Sequence, residues 1–404
     1  MTTRNVLIVG SSLAGLHTAE ALRGQGYDGA ITMVDAEPEP RYDRPPLSKE
    51  YLARPVPDPA AAGQDTGAGP LLRGPEALAA LGADWHLGDA AVSLNPRSRE
   101  IRLASGHTLG YDKLVIATGV SPVWPAALRI ASAVTLRTRQ DADRLRVLLT
   151  AGIRLAVIGA GFIGLEVAAT FRAAGAEVDV IEAEQAPLAR QLGPVVGRAV
   201  QALHTAHGVR FHLGARAAAV WQEGAQCRVE LAGGAVVAAD VLLVAVGSAP
   251  AVGWLRGSGL DLDNGIACDG HLLAAPDVYA VGDVARWPHS LAGRPVRIEH
   301  WTNAIEQAAH VARRITGTGA TSEPFATVPY FWSDQYGSKL QAYGFPGPAD
   351  DVEVVAGELD GGKFAALYRN GGRLTAAVGI GSPRQVLAGR RQVVAELTAE
   401  GALS

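Results

Sequence analysis

Two segments of this chain repeat one plan. Residues 5–37, NVLIVGSSLAGLHTAEALRGQGYDGAITMVDAE, and residues 154–184, RLAVIGAGFIGLEVAATFRAAGAEVDVIEAE, each begin with an apolar run and a glycine-rich turn. An amphipathic stretch follows, and then a second apolar run that ends in acidic residues. This order over about thirty residues is typical of a β-α-β unit. The sequence therefore predicts an α/β protein with two Rossmann-like dinucleotide-binding domains.

The glycine turns predict where the two dinucleotides bind. Backbone N–H groups at such a turn, together with the N-terminus of the following helix, bind a pyrophosphate. Gly161 of the second copy is replaced by Ser12 in the first, a small residue whose hydroxyl can donate to a phosphate. The other motif positions are Gly10 and Gly15 in the first copy and Gly159 and Gly164 in the second.

Acidic residues at the end of each unit can accept hydrogen bonds from ribose hydroxyls. In the first unit either Asp35 or Glu37 can take this role, and the residues leave the choice open. In the second unit Glu182 is the expected ligand. Its carboxylate suits a free 2′-hydroxyl and would repel a 2′-phosphate. Residues 183–188, AEQAPL, contain no Arg or Lys, which favours NADH over NADPH.

The remaining segments predict the connections between domains. Strands that run into glycine turns are expected within 111–125, 239–250 and 277–285, and residues 54–70 are expected to form a mobile surface loop. A helix is predicted at 302–317, with Thr302 as its N-cap and Gly317 as its C-terminal stop. RNGGR, within 362–381, predicts a β-hairpin.

These elements predict a nested arrangement of domains. The FAD-binding domain is split between residues 1–115 and 245–322, and the NAD(H)-binding domain is inserted at 116–244. A small α+β domain at 323–404 completes the chain.

Charge and cysteine content exclude several classes of protein. A formal net charge of −4 on 404 residues gives no general attraction to nucleic acid or to a membrane surface. No secretion signal is visible. Two cysteines far apart in sequence fit a reducing compartment, so a cytoplasmic location is expected. Cys227 and Cys268 form no C-x-x-C pair and are expected to be buried, and no metal site is expected. His204 and His207 are interpreted as residues on a helix surface.

Several more specific motifs are spread over nearly the whole chain. They are YDRPPLSKEYL (42–52), ATG (117–119), LRT (136–138), GFIGLE (161–166), VYAVGDVA (278–285), EHWTNAIEQA (299–308) and FWSDQYGSKLQAYG (331–344). Together with the two glycine fingerprints, these motifs resemble the FAD-dependent ferredoxin reductases that serve bacterial oxygenases. That family is related to putidaredoxin reductase and belongs to the two-dinucleotide flavoprotein superfamily.

The resemblance implies roles for two catalytic residues. Lys49 resembles the lysine beside the flavin ring, near N5 and O4. Glu166 resembles the ion-pair partner of that lysine, reaching from the first turn of the second helix. A cation at this position would stabilise negative charge on the flavin.

The resemblance also implies the residues that hold the cofactors. Asp283 corresponds to the carboxylate that holds the ribityl chain, and Arg137 to an FAD-contacting arginine. Trp301 begins the helix that faces flavin O2, and Trp332 lies near the flavin–nicotinamide contact or on the partner face. The further FAD residues are Ala14, Arg44, Ala91, Ala117, Thr118, Gly119 and Gly282. The further NAD residues are Phe162, Ile163, Val246 and Gly247, and Glu166 is counted among the NAD contacts as well.

The expected function is electron transfer from NADH through FAD to an iron–sulfur ferredoxin. That ferredoxin would supply an oxygenase, and a haem-thiolate monooxygenase is the expected type. Two alternatives remain: reduction of rubredoxin, a quinone or another small acceptor, or a non-enzymatic flavoprotein binding module. Thiol-disulfide and peroxide reductases on this scaffold need a cysteine near residues 40–50 or a C-x-x-C motif, and this chain has neither.

Overall fold

The computed structural model describes residues 3–39, 41–56, 69–318 and 323–399. Most of the predicted loop at 54–70, namely residues 57–68, lies outside these ranges. The helices are α1 Leu13–Gly24, α2 Pro75–Ala80, α3 Arg139–Leu148, α4 Phe162–Ala173, α5 Ala189–Ala206, α6 Trp301–Thr316 and α7 Pro383–Ala399.

The strands begin with the first repeat and end in a C-terminal sheet. In the first half of the chain they are β1 Asn5–Val9, β2 Ala30–Asp35, β3 Asp84–Leu87, β4 Ala91–Asn95, β5 Glu100–Leu103, β6 Thr108–Gly110, β7 Lys113–Ile116, β8 Val120–Pro122, β9 Ala133–Val134, β10 Arg154–Ile158, β11 Glu177–Glu182, β12 Arg210–Leu213 and β13 Ala217–Glu223. In the second half they are β14 Gln226–Leu231, β15 Val236–Ala239, β16 Val241–Val244, β17 Ser248–Pro250, β18 Ile266–Ala267, β19 Leu273–Ala275, β20 Val278–Ala280, β21 Ala285–His289, β22 Arg294–Val296, β23 Tyr330–Gln335, β24 Ser338–Gly344, β25 Asp351–Glu358, β26 Lys363–Asn370 and β27 Arg373–Ile380.

Two largely parallel sheets carry the sequence repeat. Their strand orders are β19-β20-β7-β1-β2-β3 and β12-β11-β10-β16-β9. In each sheet the first strand of the repeat lies between its second strand and a strand from later in the chain. This reversal creates a topological switch point at the carboxyl ends of the strands, where such sheets bind ligands. The predicted fold class, with two Rossmann-like units, is confirmed.

Equivalent hydrogen bonds close the two glycine turns. The Gly10 N–H donates to the Val34 carbonyl at 2.8 Å, and the Gly159 N–H donates to the Ile181 carbonyl, also at 2.8 Å. Each bond ties the start of a turn to the end of the neighbouring strand of its unit. The sequence repeat is therefore also a repeat of individual backbone contacts.

The C-terminal part of the chain forms an antiparallel sheet in the order β23-β24-β27-β26-β25, with α7 packed against it. Gly371 and Gly372 join β26 to β27, and their φ angles are 57° and 86°. Two positive φ angles in a two-residue loop are characteristic of a type I′ turn. The predicted hairpin is confirmed, and this unit is the expected α+β element.

The stretch YDRPPLSKEYL is part of a hydrophobic core rather than an external turn. Leu47 and Leu52 are 2% and 0% exposed. They share one apolar cluster with Leu165 of α4, and with Leu340 and Phe364 of the C-terminal sheet. The stretch therefore packs against both the second Rossmann-like unit and the C-terminal unit.

The prediction that Thr302 caps α6 is wrong. The helix begins one residue earlier, at Trp301, and His300 occupies the N-cap position. The Thr302 hydroxyl instead donates to the Tyr330 carbonyl at 3.2 Å, which ties α6 to β23. Gly317 ends the helix with φ 70°, as predicted.

Candidate functional site

The first glycine turn is shaped by two close approaches of the backbone. Gly10 has φ 98°, and a Cβ there would collide with the carbonyl of Ala117. A Cβ at Gly15 would collide with the carbonyl of Gly10. Ser12 has φ −75°, an angle open to every residue, so the backbone tolerates serine in this position.

The helices that follow the two glycine turns leave their N-terminal N–H groups free of side-chain caps. Neither Ser12 at α1 nor Gly161 at α4 makes a capping hydrogen bond, and neither helix has an acid in its first turn. By contrast, Thr138 and Asp141 form a capping box on α3. Uncapped N–H groups and a positive helix end suit a pyrophosphate, so the residues at both turns fit a dinucleotide.

The acids at the end of β2 have different partners. Asp35 accepts hydrogen bonds from the Ser11 N–H at 2.6 Å and the Ser11 hydroxyl at 2.7 Å. Glu37 accepts from the Tyr42 hydroxyl at 2.5 Å and pairs with Arg44 at 2.6 Å. Burial raises the pKa of Glu37, but the Arg44 charge and these hydrogen bonds outweigh it, so the pKa lies below its ordinary value. Asp35 thus serves the glycine turn and Glu37 the RPPLSK segment.

Glu182 in the second unit is the counterpart of Asp35. Its carboxylate accepts from the Ala160 N–H at 2.7 Å and from the Glu184 N–H at 2.9 Å. Ala160 follows Gly159 just as Ser11 follows Gly10. An arginine missed in the sequence, Arg190, pairs with Glu184 at 2.8 Å on the surface nearby.

The ATG segment, Ala117 to Gly119, lies between the first turn and a pair of charged residues. The Ala117 carbonyl contacts Gly10, and Gly119 has φ 66° beside the Arg137 guanidinium. Arg137 lies 3.5 Å from Asp283, and each side chain is about one quarter exposed or less. Burial raises the pKa of Asp283, while the Arg137 charge opposes that change. These groups can orient a polar chain that lies between them.

Four more predicted FAD residues adjoin these groups, namely Thr118, Arg44, Gly282 and Ala14, and a fifth, Ala91, lies in β4. The Thr118 hydroxyl donates to the Ala251 carbonyl at 3.0 Å, and Arg44 donates to the Arg137 carbonyl at 2.7 Å. A Cβ at Gly282 would press against the Cβ of Ala14 in α1. Ala91 begins β4, where it pairs with Leu103.

Two tryptophans meet at the start of α6. Trp301 and Trp332 pack edge to face, with ring centroids 6.2 Å apart. The Trp301 indole N–H donates to Asp43 at 3.1 Å, which links the helix to the segment that carries Lys49. His300, the N-cap residue, makes no side-chain capping bond, so the α6 N-terminus also presents backbone N–H groups.

Lys49 and Glu166 form a buried ion pair. Their Nζ and Oε2 atoms are 2.8 Å apart, and the side chains are 12% and 6% exposed. Glu166 lies beyond the first turn of α4, so its predicted place in that turn is wrong. Two serines missed in the sequence also donate to this carboxylate, Ser48 to Oε2 and Ser333 to Oε1 at 2.6 Å. The sequence could have indicated these two serines, because both lie within the specific motifs YDRPPLSKEYL and FWSDQY.

The second glycine turn is lined by apolar side chains. Ile163 and Val246 are 46% and 40% exposed, although both are large hydrophobic residues. Phe162, the first residue of α4, packs on Phe331 with ring centroids 4.8 Å apart. Gly247 has φ 116° directly after Val246. An exposed apolar wall beside a glycine turn can bind the flat face of an aromatic ring.

Predictions for the histidines and cysteines are only partly confirmed. His204 is 0% exposed, so its interpretation as a surface residue is wrong. The side chain is covered by the hairpin that joins β23 to β24, and its Nε2 lies 2.7 Å from Gln335 Oε1. His207 is exposed. Cys227 is buried as predicted, whereas Cys268 is only partly buried.

Metal sites and membrane-spanning helices are both absent from the described residues. Among them, no group of three or more His, Cys, Asp or Glu side chains could hold a metal ion. No helix within the described ranges is long and apolar enough to cross a membrane.

Comparison with known proteins identifies the family. A family model described as pyridine nucleotide-disulphide oxidoreductase matches residues 4–308, and one described as reductase C-terminal matches residues 330–402. The chain belongs to the pyridine nucleotide-disulphide oxidoreductase family.

Individual relatives agree over almost the full length. Rhodocoxin reductase from Rhodococcus erythropolis is 35% identical over 97% of this chain and 90% of the relative. Putidaredoxin reductase from Pseudomonas putida is 35% identical over 94% of this chain and 89% of its own. A crystal structure of a covalent putidaredoxin reductase–putidaredoxin complex matches with a TM-score of 0.89 and 33% identity, covering 97% and 93% of the two chains. The predicted class, a flavin-dependent ferredoxin reductase that uses a nicotinamide nucleotide, is confirmed.

Proposed function

We propose that this chain takes electrons from NADH through FAD and delivers them to a small iron–sulfur ferredoxin of an oxygenase system. The observation that carries the proposal is the buried Lys49–Glu166 ion pair, in a segment without cysteine. A cation fixed at this position stabilises negative charge on a neighbouring ring. Electrons can then leave the cofactor without a protein thiol.

FAD, when bound, would supply the redox chemistry between a two-electron hydride donor and a one-electron acceptor. The residues of this chain bind and orient it. The α1 N-terminus and glycine turn take the pyrophosphate, Asp35 the adenosine ribose, and Arg137 with Asp283 the polar chain beyond it. We favour Asp35 over Glu37 because Asp35 contacts the glycine turn directly, as Glu182 does in the second unit.

The second glycine turn is the proposed NADH site. The α4 N-terminus faces the pyrophosphate, and Ile163 and Val246 line the adjoining surface. Glu182 accepts from the ribose hydroxyls and repels a 2′-phosphate, which makes NADH the preferred donor. Arg190 is paired with Glu184 at the surface, and the preference for NADH rests on the Glu182 carboxylate.

The names of relatives support the proposed partner. They include rhodocoxin reductase and the ferredoxin–NAD(+) reductase component of an anthranilate 1,2-dioxygenase system from Burkholderia cepacia, 37% identical to this chain. We propose an iron–sulfur ferredoxin as the electron acceptor and, beyond it, an oxygenase, with a haem-thiolate monooxygenase as the expected type. A cytoplasmic location completes this assignment.

We propose that each domain binds a different part of the site. Residues 1–115 and 245–322 bind FAD, residues 116–244 bind NADH, and residues 323–404 complete the site. Lys49, Glu166 and Ser333 come from these three parts, and they meet within hydrogen-bonding distance.

Purified protein tests the proposal directly. The expected result is a yellow protein that bleaches rapidly on anaerobic addition of NADH, and more slowly with NADPH. Ferredoxins of different oxygenase systems, with cytochrome c as the terminal reporter, then identify the acceptor. Failure of NADH to bleach the protein would refute the proposed function, and transfer only to a quinone or to rubredoxin would refute the proposed partner.

A further inference from the structure

A continuous chain of hydrogen bonds leads away from Glu166. Ser333 Oγ contacts Glu166 Oε1 at 2.6 Å, and Gln335 Nε2 contacts Ser333 Oγ at 3.0 Å. His204 Nε2 lies 2.7 Å from Gln335 Oε1, and the Tyr336 hydroxyl lies 3.1 Å from His204 Nδ1. Glu166, Ser333, Gln335 and His204 are each at most 5% exposed.

The direction of every bond in this chain follows from the charge of Glu166. An ionised carboxylate only accepts, so the Ser333 hydroxyl must donate to it. The Ser333 oxygen then accepts from the Gln335 amide nitrogen, which leaves the amide oxygen to accept from His204 Nε2–H. A neutral ring with its proton on Nε2 accepts at Nδ1, and the Tyr336 hydroxyl supplies that donor. All four donors therefore point toward Glu166.

The protonation state of His204 agrees with this order. Burial lowers the pKa of His204 to about 4, so the ring is neutral at physiological pH and its Nδ1 can accept. The charged and titratable groups near its end of the chain are His207, whose charge would lower this pKa further, and Arg172, which acts on Tyr336.

Tyr336 adopts a backbone conformation that tyrosine disfavours. It has φ 50° and is followed by Gly337 with φ 71°, in the two-residue loop between β23 and β24. Such loops favour Asn-Gly, and a non-glycine residue with positive φ marks strain that other contacts must offset. Here the ring stacks on His207 with centroids 3.7 Å apart, and the hydroxyl reaches His204.

We propose that Ser333, Gln335, His204 and Tyr336 are positioning residues for the reaction, which hold the Glu166 carboxylate correctly oriented against Lys49. The inference rests on the proposed role of Lys49 beside the flavin. Through this chain the hairpin of the C-terminal sheet sets the charge environment of the cofactor. A purely structural chain would stabilise the fold and leave the flavin unaffected.

The first test examines His204 without turnover. In the flavin-loaded protein labelled with ¹⁵N-histidine, NMR is expected to show a neutral Nε2–H ring from about pH 5 to pH 8. Comparison with His204→Gln assigns the signal. An Nδ1–H tautomer, or a doubly protonated ring at pH 7, would overturn the proposed direction of the chain.

The second test measures anaerobic flavin reduction by NADH in a stopped-flow instrument. Ser333→Ala is expected to slow reduction roughly tenfold, the scale of one lost hydrogen bond to a charge. Ser333→Thr, which keeps the hydroxyl, should restore most of the rate. Tyr336→Phe keeps the stacked ring and should slow reduction about threefold, since it removes only the last donor. Tyr343→Phe, on the neighbouring strand and outside the chain, is the matched control and should leave the rate unchanged.

Combining variants separates a positioning role from a structural one. In a Lys49→Met background, Ser333→Ala should have no further effect on the rate, because its influence passes through Lys49. An equal slowing in both backgrounds would overturn the proposal. If NADH fails to reduce the unaltered protein, the proposed function itself is wrong, and the His204 tautomer still decides whether the chain has the stated direction.

Discussion

The burial of the Lys49–Glu166 ion pair predicts how substitutions at these two residues change thermal stability, and the test needs no bound cofactor. Lys49→Met removes the cation and leaves a carboxylate that is 6% exposed, whereas Glu166→Gln leaves an ammonium that is 12% exposed. Breaking a buried pair from one side is costly because the remaining charge keeps its desolvation penalty. The double variant retains neither charge.

The size of the effect can be estimated from these exposures. Breaking a buried pair costs about 3–5 kcal/mol, and the access of water to Lys49 places this pair near about 3 kcal/mol. An unfolding entropy of about 2.1 cal/mol/K per residue scales to about 0.85 kcal/mol per kelvin for 404 residues. Each single variant should therefore lower Tm by about 3–4 °C if the chain unfolds as one unit. The double variant should lose no more than either single variant.

Differential scanning calorimetry on the unaltered protein, the two single variants and the double variant provides the double-mutant cycle. The expected coupling energy is about 3 kcal/mol. The matched control is the Arg228–Glu223 pair, whose atoms are 2.6 Å apart but whose side chains are 31% and 61% exposed. Arg228→Met with Glu223→Gln should show a coupling of about 1 kcal/mol or less. Additive losses at Lys49 and Glu166, or a coupling equal to that of the control, would refute the reasoning.

Three further predictions follow from other parts of the structure. Glu182→Ala should raise the KM for NADH roughly tenfold by losing a ribose hydrogen bond. Glu177→Ala, at the opposite end of β11, is the control and should leave the KM for NADH unchanged. An unchanged preference for NADH over NADPH in Glu182→Ala would reject the proposed contact with the ribose. Gly10→Ala should abolish flavin retention, because its Cβ collides with the Ala117 carbonyl, whereas Gly26→Ala, at φ 81° with no atom within 4 Å, should lower only stability. Acidification should destabilise the protein as the pH falls from about 6.5 to about 4, by up to about 1.4 kcal/mol per pH unit for each neutral buried histidine. Urea titrations at several pH values should show this loss, which a flat profile would contradict. Burial lowers the pKa to about 4 in His204, His289, His300 and His310.

The repeated units could be predicted because their signals are local. A β-branched run, a glycine turn and an amphipathic stretch specify strand, turn and helix within about thirty residues. The close approaches at Gly10 and Gly159 follow from the same short motif. The Asp35 and Glu182 contacts with these turns also repeat, because each acid lies at the end of the strand beside its turn.

The contacts that the sequence did not predict join distant segments. His204 was interpreted as a surface residue because the sequence shows no third metal ligand beside His204 and His207. The sequence also does not show that the hairpin of the C-terminal sheet covers this side of α5. Thr302 was expected to be a cap because its hydroxyl is a good capping group, but Tyr330 offers that hydroxyl a carbonyl at 3.2 Å. Ser48 and Ser333 lie 285 positions apart in the chain, yet both donate to Glu166. Only the packing of three units brings such groups together.

The segment YDRPPLSKEYL shows how the two kinds of information combine. Its lack of cysteine argues against thiol chemistry but does not by itself indicate how electrons leave. The structure adds how this segment is held in place. Leu47 and Leu52 anchor it in the core, while Ser48 and Lys49 contact Glu166. Because neighbouring residues serve the core and the ion pair, the cation is held by packing as well as by charge. Under the proposed function, Lys49 would therefore offer the bound flavin a positive charge that packing has already positioned.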